Sequence, residues 1–92
     1  MLIRRILGRG RAREPKTTRL LLQCFEVDSC EVAFEPWGAV ETLRAGDAFA
    51  VEIRGPGDGL VEVAYRSGGI SVWAWSGAET VARNKAGERL TI

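Results

Sequence analysis

The stretch LVEVAYRSGGISVWAW, residues 60–75, decides the fold. Two runs of alternating apolar residues flank a polar, glycine-containing turn at residues 66–69, which is typical of a β-hairpin closed by a two- or four-residue loop. Because directly opposed residues of antiparallel strands share a face, this turn fixes which side chains point to the core. The predicted core-side pairs are Tyr65 with Ile70, Val63 with Val72, and Val61 with Ala74.

The same pattern continues along the chain from Thr17 onward, with short apolar runs separated by Gly, Pro, Asp and Ser about every ten residues. This spacing predicts an all-β fold, a small antiparallel β-sandwich or barrel of jelly-roll type with seven or eight short strands. We expect a basic N-terminal arm over 1–16 and an all-β domain over 17–92. The predicted strands are 18–27, 30–35, 39–43, 48–54, 60–65, 70–75 and 80–84, with 89–92 as an edge strand.

Two further hairpins follow from matching apolar faces. The first pairs Cys24 with Cys30, so that their sulfurs come within bridging range. Two free, buried thiols are nevertheless the favoured state for a cytoplasmic protein, with a disulfide as the alternative. The remaining predicted pairs are Leu22 with Val32 and Leu20 with Phe34 in the first hairpin, and Phe49 with Tyr65, Val51 with Val63 and Ile53 with Val61 in the second, which is closed by a loop at 55–59.

The two tryptophans of the hairpin then point away from the core, beside Leu60. We define a candidate interface or ligand patch as Trp73, Trp75, Leu60 and Trp37. An outer apolar patch usually marks a partner or a ligand. Three alternatives remain open: the tryptophans are buried through a one-residue bulge, they form a protein interface, or they stack on a small carbohydrate-type ligand.

The overall charge of +1 conceals an asymmetric distribution. Residues 1–19 contain seven of the thirteen Lys and Arg and a single acidic residue, whereas residues 20–92 contain six basic and eleven acidic residues. Apolar residues at 2, 3, 6 and 7 accompany the cations. The basic arm residues are Arg4, Arg5, Arg9, Arg11, Arg13, Lys16 and Arg19.

Composition disfavours several classes of protein. The chain has no His and only two Cys, so it lacks the commonest general base and cannot complete a four-coordinate zinc site with cysteines. We expect no metal, no cofactor and no enzymatic activity. The sequence contains no run of 18 apolar residues, so we expect no membrane span. Arginines interrupt the apolar start of the chain and no cleavable small-residue site follows, so we expect a cytoplasmic location.

The sequence Glu-Pro-Trp-Gly at 35–38, followed by Leu-Arg-Ala-Gly-Asp at 43–47, resembles small bacterial β proteins that carry an EPWG turn. The pattern is also similar to one half of a cupin jelly roll. The resemblance covers about 30 residues and implies a β fold. Locally, Pro36 favours an extended backbone at Glu35 and Gly38 permits a turn, so we expect Trp37 to close one end of the core. Cupin metal sites require histidines that this chain lacks, so metal-dependent activity is not implied.

We therefore expect a non-enzymatic binding or assembly module that associates with itself or with another protein. In this hypothesis the arm of one subunit lies on the acidic surface of the next. The first alternative is that the arm binds nucleic acid or an anionic surface, which the acidic remainder of the chain disfavours. The second alternative is a carbohydrate-type ligand stacked on Trp73 and Trp75.

Overall fold

The computed structural model describes residues 14–92, in which every regular element is a β-strand. Most of the predicted basic arm, including Arg4, Arg5, Arg9, Arg11 and Arg13, lies outside the described residues. Within the described residues no helix is long and apolar enough to cross a membrane. The strands are β1 (Pro15–Leu22), β2 (Ser29–Glu35), β3 (Ala39–Arg44), β4 (Phe49–Pro56), β5 (Glu62–Arg66), β6 (Gly69–Trp73) and β7 (Glu79–Arg83).

The seven strands form two sheets packed as a small β-sandwich, as the sequence predicts. One sheet has three strands in the order β1-β4-β7, and the other has four in the order β3-β2-β6-β5. All neighbours are antiparallel except β2 and β6, which run parallel. The fold is therefore a mixed sandwich rather than a purely antiparallel one.

The core lies between the sheets and follows the alternation of the strands. β4 shows it most clearly, because buried residues alternate with exposed ones along its whole length. Its buried residues pack against the inward-facing residues of the four-stranded sheet. The largest fully buried side chains are Phe34, Leu43, Ile53, Val32, Val51 and Val72.

Two of the three predicted hairpins are wrong. β1 does not pair with β2 but with β4, so Leu20 lies beside Val51 in the same sheet. β4 in turn pairs with β1 and β7, and the predicted pairs between β4 and β5 do not form. The error concerns the neighbour and not the face, since Leu20, Leu22, Val32 and Phe34 all pack in or against the core.

The third hairpin, β5–β6, is confirmed with the predicted register. Tyr65 pairs with Ile70 and Val63 pairs with Val72, and the turn is the two-residue loop at 67–68. The prediction that these pairs fill the core is wrong for β5, because Tyr65 is 95% exposed and Val63 51% exposed. The predicted edge strand at 89–92 is reduced to an isolated bridge between Arg83 and Arg89.

The two cysteines form a disulfide, so the expectation of free thiols is wrong. Cys24 follows the end of β1 and belongs to the core, while Cys30 lies in β2 of the other sheet, with 6.0 Å between their Cα atoms. The disulfide therefore joins β2 to the segment that follows β1, whereas the sequence predicted that both cysteines lie in paired strands.

The turn between β3 and β4 is fastened by Asp47. Its carboxylate accepts hydrogen bonds from the backbone N–H groups of Ala48 at 2.7 Å and of Lys85 at 2.9 Å. These bonds, from Lys85 first and Ala48 second, hold the pKa of Asp47 below its ordinary value, and the charge of Lys85 adds to the effect. The turn is thereby fixed to the segment that follows β7.

Removing the disulfide should destabilise the domain by about 2 kcal/mol, because a crosslink that closes so short a loop removes a modest chain entropy from the unfolded state. Urea unfolding of a Cys24→Ala/Cys30→Ala variant measures this loss. A reductant should shift the unfolding midpoint of the natural chain and leave that of the variant unchanged. Two thiols that titrate in the untreated native protein would contradict the disulfide.

Candidate functional site

Trp73 lies on the outer face of the four-stranded sheet, at the last position of β6. The neighbouring Val72 points inward and is 1% exposed, whereas Trp73 is 43% exposed. The register places Glu35 of β2 on one side of Trp73 and Glu62 of β5 on the other. An exposed indole is thus set between two carboxylate-bearing positions of one sheet.

Trp75 follows two residues later, beyond the end of β6, and is half-buried against the core. Its indole N–H donates a hydrogen bond of 3.0 Å to the backbone carbonyl of Pro56 at the end of β4. The backbone of Gly57 lies against the same ring, so that a Cβ at this position would come within 2.7 Å of the indole Cδ1. The second tryptophan is therefore held in place by the end of β4 and the start of the loop between β4 and β5.

The two tryptophans and Leu60 share one shallow depression of about 260 Å³, which we call the tryptophan depression. Leu60 is 64% exposed, and its backbone N–H donates to the Asp58 carboxylate at 2.9 Å, which shapes the loop. The lining contains two acidic side chains and no basic one. The lining residues are Asp58, Leu60, Glu62, Trp73, Ala74 and Trp75.

Trp37 does not join this group. It is 53% exposed, so the expectation that it closes one end of the core is wrong. It lines a separate depression of about 300 Å³ with residues of β7 and with Arg89 and Ile92 near the C-terminal end. The structure thus brings together three of the four predicted patch residues and places the fourth elsewhere.

The outer face of the three-stranded sheet carries a third depression, of about 480 Å³. Arg19, Arg83 and Arg89 line it together with Glu52, whose carboxylate lies 3.2 Å from Nε of Arg19. Lys16 and Arg19, assigned from the sequence to the basic group, both belong to β1. Sequence patterns did not identify Arg83 and Arg89 as members of this basic group. They are far from Arg19 in the sequence, and only the long-range pairing of β1, β4 and β7 brings them to the same depression.

The acidic residues do not form a metal site in the described range. No group of three or more His, Cys, Asp or Glu side chains between residues 14 and 92 is arranged to hold a metal ion. Comparisons of the chain with family models, with curated proteins and with solved structures gave no match.

Replacing Gly57 by Ala should disturb the tryptophan depression more than an ordinary loop substitution. Gly57 has φ +133°, which side-chain-bearing residues rarely adopt, and the added Cβ would collide with Trp75. We expect a loss of about 1–3 kcal/mol in unfolding free energy and a shift in tryptophan emission.

Gly38→Ala is the matched control for this substitution. Gly38 has φ +78° but no atom within 4 Å of an added Cβ, so it tests the backbone strain without the collision. Equal losses of stability for the two variants, with unchanged emission in both, would contradict the described contact between Gly57 and Trp75.

Proposed function

We propose that this chain is a non-enzymatic binding module that assembles with itself, the tryptophan depression of one copy binding the basic arm of another. The observation that carries the proposal is the pairing of apolar and acidic side chains in that depression. Leu60, Trp73 and Trp75 supply apolar surface, and Asp58 and Glu62 supply negative charge. Such a surface suits a segment that is both cationic and apolar.

The arm has the complementary chemistry. Residues 1–13 contain five Arg and no acidic residue, together with Leu and Ile at positions 2, 3, 6 and 7. Guanidinium groups pair with carboxylates through directed hydrogen bonds and stack on tryptophan faces. The described residues, 14–92, carry eight basic and twelve acidic side chains, so attraction between arm and domain is expected.

The first described strand begins close to the depression. β1 starts at Pro15, and a Cβ on Gly59 would lie 3.1 Å from Cβ of Lys16. The hydroxyl of Thr18 donates a hydrogen bond to the carbonyl of Gly59, the residue before Leu60. The start of β1 therefore lies beside the loop that forms the depression.

An anionic polymer is the second candidate partner, and the depression lined by Arg19, Arg83 and Arg89 favours it. Together with the arm, these residues would contact phosphates. Glu52 lies within the same depression and already pairs with Arg19, which reduces the positive charge there. We therefore rank this candidate below the first.

A carbohydrate-type ligand remains the third candidate. The face of Trp73 is exposed between Glu35 and Glu62, and carboxylates beside an aromatic ring can accept hydrogen bonds from hydroxyl groups. Trp75 contributes less to such a platform than the sequence suggested, because its ring is half-buried and its N–H is already bonded to Pro56.

The disulfide weighs against the predicted cytoplasmic location. Disulfides form and persist mainly in oxidising compartments, and both cysteines of the chain are in this one bond. We therefore propose that the folded domain resides in an oxidising compartment.

A peptide of residues 1–13 should bind the chain that lacks those residues and change its tryptophan fluorescence. The deletion removes none of the seven described strands. Trp73→Ala should weaken binding about tenfold, because it removes both apolar area and a stacking face for arginine. Trp37→Ala, at an exposed tryptophan in another depression, is the matched control and should bind as tightly as the parent. Equal affinity of the two variants would refute the proposed site.

An Arg83→Glu/Arg89→Glu variant of the full chain distinguishes an anionic polymer, the second candidate partner, from the arm. Binding of the peptide at the tryptophan depression should be unaffected by this change. Duplex DNA, if it is the partner, should bind with an affinity that falls steeply with salt, by a logarithmic slope of about −0.9 per phosphate contacted, and the variant should lose most of it. Electrophoretic mobility at two salt concentrations distinguishes the two outcomes.

A further inference from the structure

β5 is an edge strand that nothing in the described part of the chain covers. It stands at the end of the order β3-β2-β6-β5 and pairs only with β6. All five of its residues, Glu62–Arg66, are exposed. Proteins normally protect such an edge, because its free N–H and C=O groups can pair with another strand.

The core-side face of β5 is also uncovered. Val63 pairs with the buried Val72 and therefore points to the core side of the sheet, yet it is half exposed. Tyr65, on the same face, is 95% exposed. The opposite sheet, with one strand fewer, does not extend over these two side chains. An apolar strip thus lies beside the open edge.

The free backbone groups of β5 belong to the same two residues. On either side of β6, the carbonyl of Gly68 accepts from the N–H of Glu31 and the N–H of Ala74 donates to the carbonyl of Glu35, both in β2. Because successive residues alternate, the backbone groups of 69, 71 and 73 point toward β5. Their partners in β5 are Glu62, Ala64 and Arg66. Because successive residues alternate, the N–H and C=O groups of Val63 and Tyr65 point to the open edge.

We propose that β5 pairs with β5 of a second copy, antiparallel, about a two-fold axis at Ala64. In this register Val63 lies opposite Tyr65 of the second copy, and the two residues exchange backbone hydrogen bonds. Their side chains meet on the core-side face, where an aromatic and a β-branched side chain form a favourable cross-strand pair. The two four-stranded sheets become one continuous sheet across the axis.

The charges of β5 agree with the same register. Glu62 lies opposite Arg66 of the second copy on the outer face, and the axis repeats the pair, so that both charges of the strand are neutralised. A two-fold axis at Val63 would instead set Glu62 opposite Ala64, and one at Tyr65 would set Arg66 opposite Ala64. The register about Ala64 is the one that matches charge to charge and apolar to apolar.

β1, one of the two edge strands of the other sheet, lacks this property. β1 begins with Pro15, which has no N–H, and contains Lys16 and Arg19 without an acidic residue. Pairing β1 with itself would bring like charges together, a usual protection of edge strands. The contrast favours β5 over β1 as the edge that is completed in the assembly.

This inference rests on the proposed function in one respect only, that the chain associates with itself. It does not require the arm. Glu62 belongs to both surfaces, since it also lines the tryptophan depression, whereas Val63 and Arg66 belong to the strand contact alone. A failed titration leaves the strand contact intact, and loss of the strand contact in Arg66→Glu leaves the titration intact.

Charge reversal tests the contact in the full chain by sedimentation equilibrium. The natural chain should sediment with twice its mass of 10.1 kDa. Glu62→Arg places four positive charges across the axis and Arg66→Glu places four negative ones, so each variant alone should lose the β5 contact and sediment with a lower mean mass. An equimolar mixture of the two should regain the dimer mass, because Arg meets Glu at every position again.

Glu79→Arg is the matched control, since it makes the same charge change at an exposed position of β7 and should remain dimeric. Val63→Pro gives an independent test, because it removes an N–H that points to the open edge and no bond to β6. Circular dichroism is used to check that each variant is folded. Single reversals that leave the mass unchanged, or a mixture that keeps the lower mass, would overturn the proposal.

Discussion

The three-stranded sheet is one strand narrower than the four-stranded sheet that it packs against, and the exposure of Val63 and Tyr65 follows from this mismatch. Neighbouring strands lie about 4.8 Å apart, so one missing strand leaves a strip of about that width uncovered. The uncovered strip is β5, where Val63 and Tyr65 point to the core side without a core above them. The same corner contains the loop from Gly57 to Val61, which crosses from one sheet to the other and shapes the tryptophan depression.

The alternation of apolar residues predicted the faces of the strands well and their neighbours poorly. Leu20 and Val51 both point inward, as expected, but alternation carries no information on whether two inward-facing strands lie side by side or in opposite sheets. The β5–β6 register was predictable because a two-residue turn joins the strands. β1 and β4 are 26 residues apart between their ends, and no local turn specifies their pairing.

The candidate site was predictable to a similar extent. The position of Trp73 in the hairpin predicted its outward orientation. The alternation does not extend to Trp75, because β6 ends before it and its indole N–H donates a hydrogen bond to the carbonyl of Pro56. The predicted hairpin already placed the two sulfurs at bridging distance. In the structure the disulfide forms between β2 and the segment that follows β1. The self-complementary order Glu-Val-Ala-Tyr-Arg at 62–66 is visible in the sequence, but it acquires meaning only once β5 is known to be an edge strand.

Amide hydrogen exchange at single residues tests whether association completes the open edge of β5. In the isolated domain the N–H groups of Glu62, Ala64 and Arg66 bond to β6, whereas those of Val63 and Tyr65 point to solvent. We predict that the N–H groups of Val63 and Tyr65 become protected as the protein concentration rises, to the level of their neighbours in β5. Rapid exchange at both residues in concentrated protein, with Ala64 protected throughout, would contradict it.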